Sequence, residues 1–353
     1  MYTLKTSLIM KNLLYLNLLF VIFSCATEAQ KTVVDYAESI TEAELKTHLY
    51  TYASDEFMGR EAGTEGETLA INFLKDYYES TGVSAGSTDG SYFQEMTVTD
   101  RQGNSIDSYN VLAYIEGSDK SDEVLVITAH LDHIGIEDGL INNGADDDGS
   151  GTVAMMEIAE AFIEAKEDGN GPRRSILFLH VSAEEKGLLG SKYYTDNPIY
   201  PLANTVANLN IDMIGRVDSL HIDQPDYIYL IGSDILSQDL HDVSEKANED
   251  HVGLAIDYRY NDPTTLVYEF GRWRQNRYYY RSDHYHFIKN NIPAIFYFNG
   301  THEDYHAPTD TVEKIHYSLL EKRTRLIFHT AWNIVNREDR LALKENAVIP
   351  SED

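Results

Sequence analysis

With one cysteine, Cys25, the chain cannot close an intramolecular disulfide. Basic residues are also scarce: 28 lysines and arginines face 58 acids, a formal charge of -30. So anionic a chain is disfavoured as a partner of nucleic acid or anionic membranes, which bind through cationic contacts. It suits a highly soluble protein in a salty or extracellular setting, and metal binding would use only a handful of those acids. No internal repeat, long low-complexity tract or Pro/Gly-rich linker is visible. The longest apolar run, within MKNLLYLNLLFVIFS over 10–24, has roughly a dozen residues, short of the ~20 that a membrane helix needs.

That run follows a lysine, as a secretory signal requires, and Met10 begins the pattern more naturally than Met1. Cys25 stands at its end, where IFSC resembles a bacterial lipoprotein box, with Phe23 bulkier than such boxes usually hold. The expectation is a leader over 1–25 and lipidation at Cys25; the rival is ordinary cleavage within ATEAQ, around Ala29. Either way the protein is expected to be exported, periplasmic or at the cell surface, otherwise secreted, with a lipid anchor its sole membrane contact.

A hydrophobic content of 42% is that of a globular chain. One domain is expected over 31–345, with 41–100 as its N-terminal helical lead-in. TEAELKTHLYTYASDEF opens with a Thr–Glu capping box, and GETLAINFLKDYYES carries apolar residues at helical spacing. FQEMTVTD alternates like a strand. NVLAYIEG, EVLVITAH, RSILFLHVSA, TVANLNID, DYIYLIGS and IPAIFYFNG read as further strands, EVLVITAH as a continuous apolar run suited to a central position in a covered sheet. Between them, helices are expected at 151–165, with Met155, Met156, Ala159, Phe162 and Ile163 inward, at GLLGSKYY, and at SQDLHDVSEKANEDH. The fold class is therefore α/β: a mixed, mostly parallel central sheet covered by helices on both faces.

In such sheets ligands bind beyond the carboxyl ends of the strands. His130 follows EVLVITA, and Asp146, Asp147 and Asp148 follow the next loop in NGADDDGSG. Glu184 and Glu185 follow RSILFLHVSA, Asp212 follows TVANLNI, and His302, Asp304, His306 and Asp310 follow IPAIFYFNG. Any one of these acids is most simply a helix cap, and any one histidine a hydrogen-bonded structural residue. So many carboxylates converging without a cation would repel strongly, and one metal ion or two would resolve the conflict. Nitrogen and oxygen donors without cysteine suit zinc in a hydrolytic site.

AHLDH, NGADDDGSG, AEEKGLLGS, NIDMIGR, SDHYHF and DYHAPTDT, in this order over about 108–315, resemble the co-catalytic zinc exopeptidases of the aminopeptidase S and aminopeptidase Y type. Glutamate carboxypeptidases and glutaminyl cyclases are further members. The resemblance implies the zinc-exopeptidase, phosphorylase/hydrolase-like fold and two zinc ions. His130 and Asp212 would serve one ion, Glu185 and His306 the other, and Asp147 would bridge them. Glu184 would be the general base that takes a proton from water and passes it to the leaving amine. Asp132 would fix the tautomer of His130, and Tyr305 would donate to the oxyanion. Asp146 and Asp148 would then be structural, Ser150 a shaper of the turn, and Asp310 an anchor for a ligand or the loop. His133 is read as pocket wall or as a support beside the ligands, and Ser282, Asp283 and His284 as pocket scaffold away from metal.

GRWRQNRYYYRSDHYHF is out of character for so acidic a chain. Its arginines answer local acids or, with Arg274 and Arg277 foremost, form a pocket wall for a substrate carboxylate. The function expected is an exported metalloprotease, a hydrolase that removes N-terminal residues from peptides. The alternatives are a glutaminyl cyclase, a carboxypeptidase or dipeptidase of the same family, or a non-catalytic binding protein. The complete set of expected ligands and the base argue against the last.

Overall fold

The aliphatic runs form the centre of a nine-stranded sheet in a computed structural model that describes residues 30–269 and 272–350. The expected leader and Cys25 lie outside the described residues. Strands β1 (Ser84–Ala85), β2 (Phe93–Thr99), β3 (Ser105–Ile115) and β4 (Lys120–His130) come first. β5 (Gly135–Glu137) and β6 (Leu140–Asn142) make a separate small hairpin. β7 (Arg174–Val181), β8 (Thr205–Ile211), β9 (Tyr227–Ile231) and β10 (Ala255–Asp257) return to the main sheet. β11 (Leu266–Glu269) and β12 (Arg272–Gln275) pair as a second ribbon, and β13 (Ala294–Phe298) completes the strands.

The main sheet runs β1-β3-β7-β4-β8-β13-β9-β10, with β2 beside β3. Its central strands β7, β4, β8 and β13 are mutually parallel, so their carboxyl ends open on one edge. The flanks are mixed: β3 is antiparallel to β7, and β9 to β13. Every residue of β7 and β8 is buried, as expected of strands covered on both faces.

The helices are α1 (Val33–Ser39), α2 (Glu42–Tyr52), α3 (Glu65–Thr81), α4 (Gly151–Glu167), α5 (Leu189–Asp196), α6 (Gln238–Ala247), α7 (His284–Lys289) and α8 (Tyr317–Asn336). Alternation along β4 divides the core. Leu125, Ile127 and Ala129 face a cluster with Met155, Met156, Phe162, Leu240, Leu326 and Ile327, contributed by α4, α6 and α8. Val124 and Val126 face Tyr194 of α5 and Phe287 of α7 on the other side. Thr41 caps α2 by accepting from the Glu44 amide, as the capping box requires. Among the described residues no helix is long and apolar enough to cross a membrane.

Candidate functional site

His130 is the last residue of β4, and its orientation is fixed from two directions. Its backbone N–H donates to Asp148 Oδ2 at 3.1 Å, and Thr152 Oγ1 donates to its carbonyl at 3.0 Å. Ring Nδ1 lies 3.0 Å from the Asp132 carbonyl oxygen, which holds the proton there and leaves Nε2 to face the cleft. The tautomer-fixing group is thus chiefly the backbone of Asp132. Its carboxylate, 3.8 Å from Nδ1, instead accepts the Glu184 amide at 3.1 Å. Burial pushes that carboxyl up to about 8.

The triple-Asp loop divides its labour. Asp146 Oδ1 accepts from the Gly215 amide at 2.7 Å and Ser150 Oγ at 2.9 Å, while Oδ2 sits 3.1 Å from His302 Nε2. Asp148 Oδ1 accepts the Gly151 and Met213 amides at 2.9 and 3.1 Å. Both side chains are buried ties between backbones, as the sequence reading expects. Asp147 alone turns into the cleft: Oδ1 lies 3.1 Å from His130 Nε2 and Oδ2 3.1 Å from His306 Nε2. Asp310 Oδ2 accepts the amides of both Asp146 and Asp147, at 2.9 and 3.2 Å, and so anchors the loop.

Two donor groups therefore share Asp147. In one, His130 Nε2 is 3.6 Å from Asp212 Oδ1; in the other, His306 Nε2 is 3.3 Å from Glu185 Oε2. Tetrahedral zinc, with bonds of about 2.0–2.1 Å, places its donors about 3.3 Å apart. Asp147 Oδ2 and Glu185 Oε1 are also buried oxygens without a hydrogen bond, as a cation site requires. The residues fit zinc. The electrostatics agree: burial opposes charge on His306, yet the Asp147 and Glu185 carboxylates raise it to about 10. His130 is likewise raised, against its own burial, by Asp147 and Asp212. Carboxylates this hungry for positive charge would accept a metal in place of protons.

Of the two places expected for His133, pocket wall or support beside the ligands, the structure shows the second. The residue is fully buried, its Nδ1 lying 2.9 Å from Glu185 Oε1 and 3.8 Å from Asp147 Oδ2, and so it belongs to the donor cluster's immediate surroundings. Asp148 also comes within ligand distance of His130 and Asp212, but its oxygens are taken up by the three amides. Ser282, Asp283 and His284, read as pocket scaffold, stand behind the pocket and not in its lining. They are buried behind the site and line neither of the cavities described below. Ser282 instead donates to Asp212 Oδ2 at 2.7 Å and accepts from Asn210 Nδ2 at 2.7 Å.

Sequence reasoning did not pick out Arg60 or Glu67, whose partners are remote in the chain. Arg60, fully buried, donates to the carbonyls of Leu131, Asn143 and Gly144 at 3.1, 2.7 and 2.9 Å, bracing the His130 and triple-Asp loops together. Glu67 accepts from the hydroxyls of Ser108 and Ser182 and so ties α3 to the segment before Glu184. The signal for both was a charged residue inside the lead-in segment, which sequence alone leaves on the surface.

Two cavities meet at Glu184, Tyr278, Arg281, Tyr305 and His306. The smaller, of about 30 Å³, holds His130, Asp147 and Asp212 over a floor of Met213, Phe296 and Phe298. The larger, of about 620 Å³, opens past Gly187 and Leu188 toward Arg101, Arg274 and Arg277. Burial raises Glu184 well above the usual carboxylate range. Tyr305 stacks on His306 at 3.8 Å, and its hydroxyl oxygen accepts from Arg281 Nη2 at 3.1 Å.

The sequence profile described as Peptidase family M28 matches residues 110–331. Leucine aminopeptidase 1 of Fusarium vanettenii is 31% identical over 209 residues, covering 57% of this chain and 50% of that protein. The chain thus spans about half the length of that relative. Among solved structures, a zinc aminopeptidase from Bacillus subtilis superposes with a TM-score of 0.66 at 15% identity, over 84% of this chain and 96% of its own. Glutaminyl cyclase of Porphyromonas gingivalis gives 0.63 at 18% identity, over 83% and 98%. At these identities the two structures share the fold.

Proposed function

The chain belongs to peptidase family M28, and on that premise we propose that it is a zinc-dependent aminopeptidase using two ions held by His130, Asp147, Glu185, Asp212 and His306. The observation that carries this reading is the pair of donor groups sharing the two oxygens of Asp147, with Glu184 beside them in the cleft. When bound, the ions would polarise the scissile carbonyl and acidify water. Glu184, its proton affinity raised by burial, takes the proton of the attacking water and delivers it to the leaving amine. The Tyr305 hydroxyl, with its oxygen engaged by Arg281, has its hydrogen free to donate to the developing oxyanion.

The direction of the peptide follows from the two cavities. The small recess is closed behind by buried Met213, Phe296 and Phe298, so the free amine would face its carboxylate-rich end. The rest of the peptide leaves through the larger cavity. The leader read over 1–25 adds the proposal that this activity is exported and anchored through Cys25; incorporation of labelled palmitate that Cys25→Ser abolishes would support it.

The test uses matched peptides with free and acetylated N-termini, followed by mass spectrometry with and without a chelator. Single residues should be lost from the free N-terminus only, and only when zinc is present. Glu184→Gln should lower kcat about 10²–10⁴-fold while retaining zinc, since the general base and not the ligand set is lost. Loss from the C-terminus would replace this reading with a carboxypeptidase, and loss of ammonia from N-terminal glutamine with a cyclase.

A further inference from the structure

We propose that the large cavity is a carboxylate-binding vestibule, which makes this enzyme prefer peptides with a negative charge just beyond the scissile bond. The inference rests on the aminopeptidase reading, and names its substrate class. Four arginines line the cavity, although the chain has only 28 basic residues against 58 acids. They arrive from two separate segments: Arg101 from the turn between β2 and β3, and Arg274, Arg277 and Arg281 from the stretch leading from β12 toward α7. Two unrelated loops converging with the same rare charge are not explained by one loop answering its own neighbours.

The groups are also built for planar anions. Arginine presents a rigid fork of donors that matches a carboxylate, whereas lysine is a point charge. Rings support the forks: Arg277 lies over Tyr280 at 6.0 Å, and Arg281 over Tyr278 at 5.4 Å. Arg101 passes over Gly187, where any Cβ would stand 3.1 Å from its Nε, so the glycine leaves its guanidinium room beside the Glu184–Glu185 segment. Each guanidinium has five N–H donors, so contacts with neighbouring residues leave capacity for a substrate. The two carboxylates in the same lining, Glu184 and Glu185, are the proposed base and metal ligand.

The carboxylate has two sources, an acidic side chain at the second residue or the chain-end carboxylate of a short peptide. Two substrate pairs separate them, each with N-terminal leucine: Leu-Glu-Gly-Gly-amide against Leu-Gln-Gly-Gly-amide, and Leu-Gly acid against Leu-Gly-amide. In at least one pair the charged member should have a kcat/KM about tenfold higher, mainly through KM, and the pair that shows it identifies the source. The ratio should fall to within about twofold in Arg274→Gln/Arg277→Gln and in Arg101→Gln, which replace exposed residues. A ratio near one in the parent protein for both pairs, or a ratio that the variants leave unchanged, overturns the proposal. If no peptide is hydrolysed, the aminopeptidase reading fails by itself. Calorimetric affinities of the same acid and neutral peptides for zinc-loaded Glu184→Gln protein, with and without the arginine changes, then decide the vestibule on the same ratios.

Discussion

At the scale of single residues, what holds a ligand matters as much as the ligand. Thr128 Oγ1 donates to Asn210 Oδ1 at 2.6 Å, Asn210 Nδ2 to Ser282 Oγ, and Ser282 Oγ to Asp212. This relay fixes the carboxylate of Asp212 from behind, which sequence could not reveal because Ser282 is 70 residues away. Ser282→Ala should therefore weaken zinc binding about 10–100-fold, as loss of such supports does elsewhere. A chelator-competition titration measures it, and an unchanged affinity would show that the relay is idle. Backbone conformation adds to the effect. Ala183, Met213 and His306, next to or within the site, hold φ of 56°, 57° and 54°, a region that costs about 1–3 kcal/mol per non-glycine residue. The fold evidently stabilises these turns because they aim Glu184, Asp212 and His306.

At the scale of elements, the turn over 55–60 acts as a brace. Gly59 has φ 69°, and a Cβ there would lie 2.4 Å from the Asn142 carbonyl, so only glycine lets the turn approach β6. The neighbouring Arg60 then reaches the carbonyls behind His130 and Asp147. Arg60→Met fills similar space but leaves buried carbonyls unpaired, and should cost on the order of 3 kcal/mol of stability in urea unfolding. Arg60→Lys should recover little of it, since an ammonium cannot span acceptors so spread. Wild-type stability in Arg60→Met would remove the brace from the account. The elements themselves were largely legible: β4, β7 and β13 stood out as apolar runs, β8 was read as a strand despite Asn208 and Asn210, and α3, α4 and α6 were read as helices. Strand direction was not, because a strand buried on both faces reads alike whichever way it runs, as β9 does beside β13. Helix α8 lay outside the expected series, although Leu319, Leu320, Leu326, Ile327 and Ile334 carry its buried stripe. Likewise the acids and imidazoles at strand ends could be read in order, whereas the contacts made by Arg60, Arg101 and His133 depend on long-range closure of loops.

At the scale of the whole molecule, buried neutral histidines set an acid limit. Burial lowers His180, on β7, from its ordinary 6.5 to about 3, with the Tyr78 hydroxyl 2.7 Å from Nε2. His284, His286 and His329 are similarly lowered, to about 3, 3 and 4, first by burial. A depressed folded-state value means that the unfolded chain binds the proton first. The associated stability is thus complete above pH 6.5 and is lost as pH falls toward about 3. Each group contributes a slope of about 1.4 kcal/mol per pH unit over that window. The gap between wild type and His180→Gln should shift by about 2 kcal/mol in favour of glutamine from pH 6.5 to 5, in zinc-saturated unfolding at each pH. A constant gap would place the histidine's titration outside this window. The anchor of the triple-Asp loop has a different consequence, one of timing. Asp310 lies more than 160 residues beyond the amides it receives, and His306 just before it. A growing chain emerges from its N-terminus, so Asp147 has neither its anchor nor its second imidazole until synthesis has passed position 310. Order of translation therefore leaves the donor cluster incomplete until most of the chain has been made, and a chain terminated before position 306 never completes it.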